Sequence, residues 1–60
     1  MTGREVYFEF RRIGSAVKVV AIDSLTGTEV SIVGAVSAGE AQLKATALRK
    51  LQFVLDKNRR

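Results

Sequence analysis

The sequence predicts an α+β fold: a three-stranded antiparallel β-meander with one C-terminal α-helix packed on one face. Three observations predict it. Residues 5 to 12 alternate, with Val6, Phe8 and Phe10 set against Glu5, Tyr7, Glu9 and Arg11. That is the period-two pattern of a half-buried strand. Two more β-branched stretches follow, bounded by the turn signals Gly14-Ser15 and Asp23-Ser24-Leu25-Thr26-Gly27. The pattern then changes to helical spacing, and no proline interrupts it.

Taken in order, strands are expected over about residues 5–12, 15–23 and 28–36, and a helix over about 38–57, in a single domain spanning 1–60 with a short basic tail. In the second loop Asp23 can bond nearby amides and Gly27 can take the left-handed conformation at its end. A loop of Ser24 to Gly27 sets Ala21 opposite Val30, Val19 opposite Ile32 and Val17 opposite Gly34. A first turn at Ile13-Gly14 sets Phe10 opposite Val17, Phe8 opposite Val19 and Val6 opposite Ala21. Ile13 is a poor residue for a turn that needs positive φ, which favours a type II or wider turn. Both hairpins put Val17, Val19 and Ala21 on one face, together with Val6, Phe8, Phe10, Val30, Ile32 and Val36. A slip by one residue would set Lys18 beside Phe8.

Ser37-Ala38-Gly39-Glu40 reads as a capping box, with Ser37 as the N-cap. On a helical wheel Ala41, Ala45, Leu48, Leu51 and Leu55 share a face, widened by Leu43, Ala47 and Val54. Lys44 falls inside that arc, where its stem can lie on apolar surface. Phe53 projects from the polar side with Thr46, Lys50 and Lys57. Asn58 is placed to end the helix.

The chain has no His, Cys or Trp, and only six carboxylates in 60 residues. Disulfides and the usual transition-metal ligands are thereby removed, so no metal site and no cofactor are expected. A chain this short is marginally stable alone, and tight packing or self-association is left to stabilise it. The start, Met1-Thr2-Gly3-Arg4-Glu5, does not read as a secretory signal. No apolar run approaches the roughly 18–20 residues that span a bilayer. A cytoplasmic protein without a membrane partner is the expectation.

The strings Arg4-Glu5-Val6-Tyr7-Phe8-Glu9-Phe10, Ala16-Val17-Lys18-Val19, Thr26-Gly27-Thr28-Glu29-Val30-Ser31-Ile32-Val33-Gly34 and Ala47-Leu48-Arg49-Lys50-Leu51 resemble a family of short uncharacterised alphaproteobacterial proteins, over nearly the whole chain. The resemblance implies a bacterial, cytoplasmic protein. It brings no catalytic motif.

Three kinds of site can be weighed on the residues. Gly34-Ala35-Val36-Ser37-Ala38-Gly39 has the glycine spacing of a phosphate-binding loop, but Glu40 and Ala41 stand where that loop needs Lys and Ser or Thr. Glu5 and Glu29 would flank Ile22 about 10 Å apart, a glycosidase-like separation, but a chain this short does not readily build the cleft. No catalytic residues are assigned, and enzymatic activity is not expected.

The net charge is +4, and six of the ten bases lie from Lys44 onward. Lys50, Lys57, Arg59 and Arg60 could hold phosphates without reading sequence, which makes nonspecific nucleic-acid binding the alternative function. The outer sheet face argues against it, because Glu5, Glu9 and Glu29 outnumber Arg11 and Lys18 there.

The favoured reading is a non-enzymatic interaction module that associates with itself, as a homodimer, or with another protein. The outer face carries an apolar patch of Tyr7, Val20, Ile22 and Val33, and Phe53 adds exposed apolar surface on the helix. The third strand from Val30 to Val36 is uncharged, and as a free edge it would invite pairing.

Overall fold

The computed structural model describes residues 5–58. Three strands, β1 (Val6–Ile13), β2 (Ala16–Asp23) and β3 (Glu29–Ala35), form one antiparallel sheet in the order β1-β2-β3. A 3₁₀ turn (Val36–Ala38) leads into a single helix, α1 (Glu40–Asn58). The α+β meander with a C-terminal helix is thus the architecture observed.

The second hairpin has the expected register, with Ala21 opposite Val30, Val19 opposite Ile32 and Val17 opposite Gly34. Its loop closes on Asp23. The Asp23 N–H donates to the Thr28 carbonyl at 2.8 Å, and Asp23 Oδ2 accepts the Thr26 N–H at 3.0 Å and the Thr26 hydroxyl at 2.8 Å. Asp23 ends β2 on the core face and is fully buried. Bonds of this kind are what a buried carboxylate requires.

The first hairpin differs from expectation by two residues. Phe8 stands opposite Ala21, Phe10 opposite Val19 and Val6 opposite Asp23. Ile13 pairs with Ala16, so the loop is Gly14-Ser15 alone. Gly14 has φ 62°, and no residue other than glycine has positive φ among those described. A type I′ turn would need positive φ at Ser15 as well, so the turn is II′, with glycine at its first central position. Keeping Ile13 in the strand spares a β-branched residue a strained conformation.

The core consists of Val19 and Ala21 from β2 against Leu43, Ala47 and Leu51 from α1, all buried. Val6, Phe8, Phe10, Val17, Val30, Ile32 and Leu55 pack around it, half-buried. The wheel predicted a buried face of Ala41, Ala45, Leu48, Leu51 and Leu55, widened by Leu43, Ala47 and Val54. The observed stripe is rotated: Ala41 and Ala45 are exposed, Leu48 is half-buried, and Thr46 is half-buried on the opposite flank. Gly34 explains part of this. A Cβ at position 34 would run into Leu43 Cδ2, so the missing side chain is what lets α1 settle onto β3.

The helix starts at Glu40, later than the capping box implied. Ser37 lies inside the 3₁₀ turn, and among the described residues its hydroxyl makes no hydrogen bond to the amides of Gly39 or Glu40. The Gly39 carbonyl accepts the Leu43 N–H at 3.1 Å, so Gly39 is the residue that caps α1. Its φ of 89° and ψ of 149° form a combination that side chains rarely tolerate. Gly39→Ala is therefore expected to destabilise by about 1–3 kcal/mol, and Ser37→Ala by less than about 0.5 kcal/mol. Urea unfolding of the two variants checks the order. Equal effects, or a larger one at Ser37, would restore the capping box.

Candidate interaction surfaces

The helix does not sit centrally. It lies chiefly over β2 and β3, and its Lys50 ammonium donates to the Ser31 carbonyl at 2.9 Å. The Asp23–Thr28 bond and the bond from Val36 N–H to the Ser15 carbonyl put the even residues of β3 in pairing with β2. The backbone groups of Glu29, Ser31 and Val33 therefore point to the free edge. Lys50 thus occupies the edge that the sequence offered for pairing, and a lysine is a common means of blunting one. Lys50 is not on a detached polar face, as the wheel implied, but at the margin of β3.

On the other flank the geometry is open. A groove runs between β1 and the helix, lined by Phe8, Glu40, Ala41, Lys44, Ala45 and Leu48. Lys44 Nζ stands 5.2 Å from the centroid of the Phe8 ring, a cation–π arrangement, and so holds the place predicted for it beside apolar surface. The β1 edge next to this groove is free. The Ser24 N–H donates to the Glu5 carbonyl at 2.9 Å, so odd residues of β1 face β2 and the backbone groups of Val6, Phe8 and Phe10 point outward. The half-covered strand escaped the sequence reading, because its signal is the position of the helix axis over the sheet.

The outer sheet face is uncovered. Tyr7 is directly opposite Ile22, Glu9 opposite Val20, and Arg11 opposite Lys18, which is opposite Val33. On this face Tyr7 is 56% and Val33 69% exposed, and Val20 and Ile22 are half-buried. Its charges are sorted along the strands: Glu5, Glu9 and Glu29 lie towards one end, Arg11 and Lys18 at the other. Phe53, 64% exposed, is on the helix, across the thickness of the sheet from this patch, so the two are separate surfaces. Glu29 stands opposite Ile22 as expected, but Glu5 does not flank it on the other side. The two-residue change in register puts Tyr7 there instead, and its hydroxyl donates to Glu5 Oε1 at 2.8 Å.

That bond has a measurable effect. It pushes the Tyr7 phenol above its ordinary value, first by stabilising the protonated form and then through the negative charge on Glu5. Tyr7 is the one tyrosine and there is no Trp, so an ultraviolet titration reads this group alone. Glu5→Ala is expected to bring the titration back down towards about 10. The folded value is raised, so the contribution to stability is complete below the unfolded value. It is lost as pH rises through the folded one. An unchanged Tyr7 titration in Glu5→Ala would show that the bond does not persist in solution.

Of the bases assigned to phosphate contacts, Lys50 is engaged by Ser31, and Lys57 Nζ lies 5.8 Å from the Phe53 ring centroid. Arg59 and Arg60 lie outside the described residues. Among the described residues no helix is long and apolar enough to cross a membrane.

The molecule is a small α+β protein defined by its surfaces: a half-covered edge strand, a blunted edge and a bare sheet face. A family described as a domain of unknown function, DUF6898, matches residues 3–59, and the chain belongs to that family. No curated protein and no solved structure matches it significantly.

Proposed function

We propose that this protein is a small non-enzymatic interaction module that associates with itself through apolar surface, in the bacterial cytoplasm. The observation that carries the reading is the offset of α1 over β2 and β3, which leaves the core face of β1 open on one flank beside free backbone groups. A chain without disulfides has a stability of about 3–9 kcal/mol at this length. The apolar surface that half-buried Phe8 and Phe10 still expose therefore represents stabilisation not yet realised in the monomer. Sedimentation equilibrium across micromolar concentrations tests the reading. A mass that rises with concentration, with a thermal midpoint that rises alongside it, is the expected result. A monomer throughout, with concentration-independent unfolding, overturns it.

A further inference from the structure

We propose that the partner is a second copy of this chain, docked edge to edge on β1. The strands run antiparallel with Phe8 opposite Phe8, joining the two sheets into one. The proposal rests on the self-association reading and specifies its interface. The choice of edge follows from the two flanks of the helix. At β3 the Lys50 ammonium holds the Ser31 carbonyl, whereas at β1 the outward groups of Val6, Phe8 and Phe10 stand beside an open groove in which Phe8, Ala41, Ala45 and Leu48 are flanked by Lys44 and Glu40.

The register follows from charge and from facing. Only the even residues of β1 point their backbone groups outward, so the registers available differ in steps of two. With Phe8 opposite Phe8, Val6 meets Phe10 on the core face. On the outer face Tyr7 meets Glu9 and Glu5 meets Arg11, an oppositely charged pair that the twofold axis repeats. Phe8 opposite Phe10 would instead set Glu9 against Glu9 and Val6 against Arg12. Phe10 opposite Phe10 would put Arg12 against Phe8. A slip the other way, Val6 opposite Phe8, would set Glu5 against Glu9. Like charges directly opposite one another destabilise a sheet, and a charge among the core-facing phenylalanines costs more. Of these four registers, Phe8 opposite Phe8 is the one that avoids both among the described residues. It brings the two grooves together across the axis, with Phe8 from each copy at the centre.

The chain has no cysteine, which makes the register directly testable. Tyr7 and Glu9 are exposed on the outer face, so replacing either leaves the core intact. In this register they form a non-hydrogen-bonded pair with Cα atoms about 4.5 Å apart, within disulfide range. Mixing Tyr7→Cys with Glu9→Cys under mild oxidation is expected to give the mixed disulfide in preference to either self-linked product. Separately, Arg11→Glu is expected to raise the dissociation constant about tenfold, because two like-charged pairs replace two opposite ones. Adding Glu5→Lys to the same chain should restore it. These residues make no pair within one copy, so rescue reads the interface. A dimer that ignores both reversals, or in which Glu9→Cys links to itself as readily as to Tyr7→Cys, overturns this interface while self-association stands. A monomer at every concentration overturns both.

Discussion

Leu51→Ala is expected to destabilise the protein by about 2–5 kcal/mol, which would leave much of the chain unfolded at room temperature. Leu51 is the largest fully buried side chain, and it lies at the centre of the helix stripe against Val19 and Ala21. A chain of this length has roughly 3–9 kcal/mol in total. Losing the transfer energy of three carbons, together with the cavity they leave, therefore consumes most of it. Ala41 and Ala45 provide the contrast. Both lie on the stripe that the helical wheel would bury, yet both are exposed, so Ala45→Gln should change stability by no more than about 0.5 kcal/mol. Circular dichroism followed through a urea titration distinguishes the two positions. Comparable losses at Leu51 and Ala45 would mean that the helix sits on the sheet by a different face.

The second large effect is expected at Gly34. Valine suits a strand by propensity, yet Gly34→Val should cost about 1–3 kcal/mol through overpacking, since its Cβ would meet Leu43 Cδ2. Leu43→Ala alone should cost about 2–5 kcal/mol by opening a cavity in the same place. Together the two changes should cost less than their sum, because the new methyl groups fill the space the leucine vacates. A double-mutant cycle measures that coupling. Additive losses would show that Leu43 does not rest on the bare backbone of β3.

What could be read from the residues was facing, and what could not was offset. Alternation assigns each strand residue to one face, and Asp23 and Gly27 locate the second loop, so the β2–β3 register is legible to the residue. The first hairpin is less so. A displacement by two residues keeps every side chain on its face, and only the turn distinguishes the alternatives; the glycine at 14 does so by its positive φ. The helix is harder still. Its apolar arc spans about half the circumference and includes three alanines, Ala41, Ala45 and Ala47, which bury almost as well as they solvate. The rotation that is realised depends on Gly34, which admits Leu43, and on Ser31, which receives Lys50. Both are long-range relations that no window of sequence contains. The outer patch of Tyr7, Val20, Ile22 and Val33 follows from alternation alone. The open flank of β1 does not, because it exists only once the helix axis has been placed. Ser37-Ala38-Gly39-Glu40 satisfied the spacing of a capping box, but the chain leaves β3 through a 3₁₀ turn, and the positive-φ conformation at Gly39 displaces the cap.

The strand order also has a kinetic consequence. Each strand lies beside its neighbour in sequence, and the helix folds back directly onto the sheet that precedes it. Little chain has to be closed into a loop before any native contact forms, which places refolding on the order of milliseconds or faster. With no proline in the chain, no isomerisation phase of tens of seconds follows. A slow phase in stopped-flow refolding would therefore be expected to come from the encounter of two chains, and its rate should double when the protein concentration doubles.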